Sequence, residues 1–275
     1  MPELPETETI ARDLDRELQG RRVVAVDVTR ADVLREVSPS QLTERLTGAT
    51  VLRCWRRAKL VVLEVSSGER IVVQPRFTGA LLLSRGPLPE EEAPYSTLRL
   101  RLDDGRDLHY RDIRRLGTVA LMSPERWAGY SSGLGVEPLD PAFSVEHLSG
   151  ILRGSRQAVK KVLMDQRVVV GIGNIYANEA CWRAAVDPSR VARSLETPEV
   201  ERLHDGIVSV LRDSIAARGT SFRDYRDASG GRGDFVRSLA VYGRGGQPCP
   251  RCGARLVETH AVDGRSTVLC AHCQR

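Results

Sequence analysis

The sequence predicts a multidomain α+β protein: a β domain of the sandwich or barrel type, then a helical domain, then a small terminal hairpin. Three observations carry this reading. Between about residues 22 and 122, short runs rich in β-branched residues alternate with turn chemistry. Past residue 123 a helical periodicity replaces them. The chain then closes on two CxxC pairs.

The first element is a helix. MPELPE at residues 1 to 6 leads into TETIARDLDREL, which is amphipathic, and acidic residues suit the positive end of its dipole. An N-cap role accounts for Glu3 and Glu6 but gives Pro2 no purpose. There is no basic, apolar and small-residue sequence of a signal peptide, so a cytoplasmic protein is expected. The strands follow: RVVAVDVTR, ATVLRCWRR, KLVVLEVSSG, RIVVQPRF, GALLLSR, STLRLRLDDG, RDLHYRD and TVALMS. SSGE and DDGR supply turns between them, and many short strands with such turns pack as a sandwich or barrel. GPLPEEEAPY, residues 86 to 95, reads as a surface loop.

Helical patterns occupy SPERW, SVEHLSGILRGSRQAVKKVLMDQ with its Ser caps, NIYANEACWRAAV, and TPEVERLHDGIVSVLRDSIAARG, closed by a glycine. YRDASGGRGD, residues 225 to 234, has glycine and charge without periodicity and reads as a mobile loop. The expected domains are 1–125, 126–240 and 241–275.

Composition narrows the function. Hydrophobic content of 41% and charged content of 28% describe a soluble globular chain, and no apolar run approaches the ~20 residues that span a bilayer. A net charge of +5 and a pI near 9.0 point to an anionic partner. Of 41 basic residues only Lys59, Lys160 and Lys161 are lysines, so lysine is the exception wherever it stands. Cys54 and Cys181 sit singly in apolar contexts and read as packed thiols. Cys249 and Cys252, then 17 residues, then Cys270 and Cys273 have the spacing of a four-thiolate site for one structural zinc.

Three stretches carry chemistry. Methionine ahead of proline is normally removed in the cell, which leaves Pro2 with a free secondary amine. An α-amino group titrates near ~8, well below lysine at ~10.4, so part of it is nucleophilic at neutral pH. Such amines form Schiff bases with carbonyls, and Glu3 beside it could move the protons. GIGNIYANEA, residues 171 to 180, is a glycine turn entering a helix; it suits a phosphate, with Asn174 as an extra donor, or serves as a plain connection. Arg265 lies five residues before the third cysteine ligand, where a fixed guanidinium suits phosphate.

These stretches together resemble the formamidopyrimidine-DNA glycosylase and endonuclease VIII family of base-excision repair enzymes. MPELPE, RRAKL around Lys59, DIRRLG at 112 to 117, LMDQRVVVGIGNIYANEA at 163 to 180 and VYGRGGQPCPRC…GRSTVLCAHCQ at 241 to 274 follow its pattern in order. The resemblance implies an N-terminal antiparallel β-sandwich, a helix-two-turn-helix domain and a zinc-finger hairpin. It implies a bifunctional glycosylase and lyase acting as a monomer on double-stranded DNA with damaged bases or abasic sites. Pro2 would attack C1′, Glu3 would assist sugar opening, Glu6 would support it, and Lys59 would contact phosphate and help elimination. Lys160, Asn174, Tyr242 and Arg265 would bind the DNA, Arg265 also serving the catalytic centre. A base must leave the stack to be reached, so residues are needed to fill the hole. Phe77 stands in QPRFTG where the guanine-lesion branch has the methionine of HLGMSG, and Arg114 and Leu116 stand in IRRLG where it has PRRFG. Tyr95 replaces a DNA-contacting histidine. The long loop between TSFRDYRD and LAVYGR resembles a lesion-capping loop, which favours oxidised purines. A lyase acting mainly on abasic sites, and a zinc-dependent damaged-DNA-binding protein without catalysis, remain alternatives.

Overall fold

Ile10, Leu14 and Leu18 recur every four residues and place one apolar stripe on helix α1 (Leu4–Leu18). Pro5 sits in its first turn, where a missing N–H costs nothing. This helix begins the first of two compact units in the computed structural model of the chain, which describes residues 2–275. The first unit runs to Ser132 and takes in Ala217–Val236; the second comprises Gly133–Ala216 and Arg237–Arg275.

The first unit is the β domain. One sheet holds β1 (Val23–Val28), β6 (Gly79–Arg85), β7 (Ser96–Leu102) and β8 (Arg106–Asp112) in the order β1-β7-β8-β6. The other holds β2 (Leu34–Arg35), β3 (Val51–Arg57), β4 (Leu60–Val65), β5 (Arg70–Gln74) and β9 (Thr118–Met122) in the order β2-β9-β5-β4-β3. All pairings are antiparallel except the two-residue β2–β9 pair. Val26, Leu98, Leu100, Leu108 and Tyr110 of one sheet share a core with Val61, Leu63, Ile71, Val73 and Val119 of the other. The apolar stripe of α1 joins the same core. Burying each of its leucines contributes roughly 1.5–3 kcal/mol, which fixes the helix start against the sheets. The helix α2 (Pro39–Leu46), which the sequence reading passed over, begins on a reciprocal cap between Ser38 and Gln41. The helix α3 (Pro124–Ser132) closes this stretch of the unit.

Residues 225–234 are a pinned segment and not the mobile loop expected. Tyr225 and Ala228 are buried in the β-domain core. Asp227 accepts from the backbone N–H of Ser229 and Gly231, and Arg218 bridges Asp227 to Asp13 of α1. These bonds explain why the segment clusters with the β domain and not with the helices that precede it in the chain.

The second unit packs α4 (Val145–Arg153), α5 (Val159–Met164), α6 (Asn174–Ala184) and α7 (Thr197–Ala216), with the hairpin β10 (Val257–Thr259) and β11 (Thr267–Leu269). The continuous helical pattern after residue 144 breaks at Gly154 into α4 and α5. Gly206 sits inside α7 because a Cβ there would meet the Ala180 carbonyl at 2.8 Å; the glycine lets α6 and α7 approach closely.

Candidate functional site

The start of α1 carries the N-terminal chemistry. Pro2, Glu3 and Glu6 are all buried. Glu6 Oε2 accepts the Glu3 backbone N–H at 2.8 Å, and Oε1 accepts the Thr220 backbone N–H at 2.7 Å. With each oxygen on a backbone amide, Glu6 ties the first turn of α1 to the 217–236 segment, which suits the supporting role expected of it. The Glu3 carboxylate, beside Pro2, is the buried acid suited to handling protons there.

Lys59 lies in a two-residue turn, Ala58–Lys59, closed by the Arg57–Leu60 pair of β3 and β4. Ala58 adopts φ 55°, a left-handed conformation that costs a non-glycine residue roughly 1–2 kcal/mol. Arg56 holds the turn to α1: its Nε donates to Glu8 Oε2 at 2.8 Å and its Nη1 to the Ala58 carbonyl at 3.1 Å.

A second group stands at the loops between β5 and β6 and between β8 and β9. Phe77 is 46% exposed and Leu116 39% exposed, large apolar side chains held out toward solvent. The Arg114 guanidinium lies over the Phe77 ring at 5.2 Å from its centroid. The residue ahead of each apolar tip, Arg76 or Arg115, has φ 51°, so both loops hold backbone strain next to the exposed side chain. Tyr95 is also exposed, with Arg111 over its ring at 5.9 Å.

In the second unit Asn174 begins α6 after Gly171 and Gly173, with the N-cap at Gly173. Its side-chain oxygen is buried and makes no hydrogen bond among the described residues. Arg265 is exposed in the turn between β10 and β11. Lys160, expected on DNA phosphate, is instead fully buried: its ammonium donates to the Ser266 carbonyl at 2.7 Å and Thr267 Oγ1 at 2.8 Å. Burying an ammonium demands such acceptors, and these two are the residues that follow Arg265 in the chain. Tyr242 is half-buried, and its backbone N–H bonds Glu179 Oε1 at 2.8 Å. Glu179, which the sequence reading did not single out, also accepts from the N–H groups of Ala240 and Val241 at 2.9 Å each.

The four cysteines of the two CxxC pairs converge. Their sulfurs lie within 4.8 Å of one another, and Cys252 Sγ is 3.5 Å from Cys270 Sγ. A compact all-thiol donor set suits one structural zinc. The ring of Trp182 packs against this cluster, and its buried Nε1 lacks a hydrogen-bond partner among the described residues. An indole N–H beside thiols that become thiolates on metal binding fits the same reading. Cys181 and Cys54 are packed apart from the cluster, and burial pushes the Cys181 thiol up to about 12.

The chain is similar to known proteins over its whole length. Residues 1–119 match the formamidopyrimidine-DNA glycosylase N-terminal domain, residues 134–226 the formamidopyrimidine-DNA glycosylase H2TH domain, and residues 246–275 the zinc finger found in FPG and IleRS. The chain is 41% identical over 278 residues to a formamidopyrimidine-DNA glycosylase of Roseiflexus sp. (strain RS-1), covering 100% of both chains. It is 43% identical over 259 residues to that of Moorella thermoacetica, covering 93% of each. Among solved structures, Lactococcus lactis Fpg in complex with abasic-site DNA superposes with a TM-score of 0.91 at 32% identity, covering 99% of each chain. The complex of the wild-type Lactococcus lactis enzyme with N7-benzyl-Fapy-dG DNA gives 0.92 at 32%, covering 100% of each. The MutM protein of Thermus thermophilus gives 0.87 at 34%, covering 99% of this chain and 98% of that one.

Proposed function

Because the chain belongs to the formamidopyrimidine-DNA glycosylase family, we propose that it excises oxidised purines, ring-opened ones included, from duplex DNA and then cuts the strand through a Schiff base on Pro2. The observation that carries this is the start of α1: a buried proline at residue 2 beside the buried Glu3, with Glu6 fastening the turn by both oxygens. Once Met1 is removed, the Pro2 nitrogen attacks C1′ of the damaged nucleotide, and the glycosidic C1′–N bond breaks with the base taking a proton. Sugar opening, assisted by Glu3, leaves an iminium between Pro2 and C1′. The iminium acidifies C2′, whose proton is lost as the C3′–O bond breaks; a second elimination breaks the C5′–O bond, and water returns the amine. Lys59, held on its turn by Arg56, is suited to the phosphate and to the eliminations.

The second unit would hold the DNA backbone through Arg265 and the amide-rich start of α6. The zinc, bound by Cys249, Cys252, Cys270 and Cys273, stiffens the hairpin that carries Arg265 and takes no part in the chemistry. Phe77, Arg114 and Leu116 would fill the gap left by the extruded nucleotide, at an unstacking cost of a few kcal/mol. The solved Lactococcus lactis complexes hold abasic and Fapy-dG DNA, and the 217–236 segment retained here supports the same purine preference. No described helix is long and apolar enough to cross a membrane, and action in the cytoplasm with the nucleoid suits the substrate.

Borohydride trapping tests the reading. The processed protein should become covalently linked through residue 2 to duplexes bearing 8-oxoguanine, formamidopyrimidine or an abasic site, and less to thymine glycol. Pro2→Gly, or a peptide extension ahead of Pro2, should suppress the adduct. Undiminished trapping in both would move the nucleophile elsewhere, and trapping on abasic DNA alone would remove the glycosylase step.

A further inference from the structure

We propose that Asp112 fastens together the two loops bearing Phe77, Arg114 and Leu116, so that these three side chains enter the duplex as one rigid unit. This rests on the reading of those residues given above. Asp112 ends β8 directly opposite Gly79, so both loops leave the same end of one strand pair. It is 1% exposed, and its oxygens are divided between the loops. Oδ1 accepts the Thr78 hydroxyl at 2.5 Å, next to Phe77. Oδ2 accepts the Gly117 backbone N–H at 2.8 Å, next to Leu116, and the Tyr110 hydroxyl at 3.3 Å.

Thr78 completes the link. A hydroxyl has one proton to donate, and here it goes to Asp112; its lone pairs remain free to accept. One of them takes the Arg114 backbone N–H at 3.0 Å. Arg111, itself buried, donates from Nη1 to the Thr78 carbonyl at 3.2 Å. The Tyr110 hydroxyl lies where a Cβ on Gly117 would fall, at 1.9 Å, so only glycine lets the second loop close onto this network. The three exposed side chains thus hang on loops whose backbones meet at one carboxylate, and the stacking of Arg114 on Phe77 joins them again at the tips.

A joined pair of loops makes a thermodynamic statement. If Phe77 and Arg114 insert together, removing either forfeits most of what both contribute, and their losses are far from additive. Replacing Thr78 by valine keeps the shape and leaves the Arg114 amide without its acceptor, so the loops should move independently. The experiment is a double-mutant cycle of Phe77→Ala and Arg114→Ala, run in the wild-type and Thr78→Val backgrounds. Two readouts serve it: single-turnover excision of 8-oxoguanine opposite cytosine or adenine, and fluorescence of 2-aminopurine opposite a non-cleavable abasic analogue, which reports insertion without catalysis.

In the wild-type background the double variant should retain about tenfold more activity than the product of the two single losses predicts. In Thr78→Val the losses should multiply, lesion excision should fall roughly tenfold or more, and cutting of a preformed abasic site should change far less. Thr78→Ser, which restores the hydroxyl, should recover the coupling, and Asp112→Asn should weaken it if Thr78→Val folds poorly. Equal coupling in both backgrounds, or a Thr78→Val defect that serine does not repair, would overturn the proposal. A wild type that fails to excise any lesion yet still shows coupled insertion by fluorescence would instead defeat the functional reading alone.

Discussion

Replacing Lys160 by methionine should weaken DNA binding even though the ammonium does not face solvent. The side chain is fully buried, and its bonds go to Ser266 O at 2.7 Å and Thr267 Oγ1 at 2.8 Å, the two residues that follow Arg265 where its turn leads into β11. Methionine fills a similar volume but gives those acceptors nothing. Thr267 Oγ1 keeps its own bond to the Arg265 carbonyl at 3.1 Å, so the main orphan is the Ser266 carbonyl. Leaving one buried acceptor unpaired costs about 1–3 kcal/mol, confined to the turn. The loss in DNA affinity has a ceiling: a loosened turn can forfeit no more than Arg265 contributes, on the order of 1.5–3 kcal/mol for a charge-assisted contact. We therefore expect Lys160→Met to raise Kd roughly 5- to 150-fold, Arg265→Ala to raise it at least as much, and the double variant to resemble Arg265→Ala. Fluorescence anisotropy on a duplex with a non-cleavable abasic analogue, over a series of salt concentrations, measures all three. Additive losses, together with a salt slope that drops by about 0.9 for Lys160→Met in the Arg265→Ala background, would mean that Lys160 neutralises a phosphate itself and would refute the argument.

Removing zinc with a chelator should abolish duplex binding while the β domain stays folded by near-ultraviolet circular dichroism; in Trp182→Phe, which loses the indole N–H along with part of the ring that packs on the cluster, zinc release should be about tenfold faster at unchanged stoichiometry. Phe77→Ala should slow excision of 8-oxoguanine by roughly 10- to 100-fold and cutting of a preformed abasic site only slightly, because the abasic site is already unstacked; equal losses on both would make Phe77 a packing residue. Burial, helped by Arg99 and opposed by Asp107, holds His109 below the ordinary imidazole range, so the unfolded chain takes up this proton at higher pH than the folded one. Its contribution to stability is intact above about pH 6.5 and is lost as pH falls below it, by at most ~1.4 kcal/mol per pH unit, and Tm measured from pH 7.5 to 5 should decline less in His109→Gln.

What the sequence determined by itself was whatever rests on local spacing. Period-two alternation and DDGR-type turns located the strands, because a pleated backbone sends neighbouring side chains to opposite faces. The two CxxC pairs announced the thiol cluster, since a knuckle brings its own two sulfurs together whatever surrounds it. The opening MPELPE put a candidate amine beside its candidate carboxylates, whereas the Ser38 to Gln41 cap of α2, equally local, was passed over. Tertiary structure decided everything that depends on a partner far along the chain. The bond from Thr220 to Glu6 spans 214 residues and ties the first turn of α1 to a segment far along the chain. Lys160 reaches across 106 residues to the Ser266 carbonyl, which buries an ammonium that the sequence leaves open to solvent. Tyr225 and Ala228 enter the β-domain core, so a glycine-rich stretch that reads as mobile is pinned. Asp112 looks like one more surface acid in RDIRRLG until folding gives its oxygens the Thr78 hydroxyl and the Gly117 amide. Burial and hydrogen-bond satisfaction set a charged group's role, and both are properties of the packed neighbourhood, which no window of adjacent residues contains.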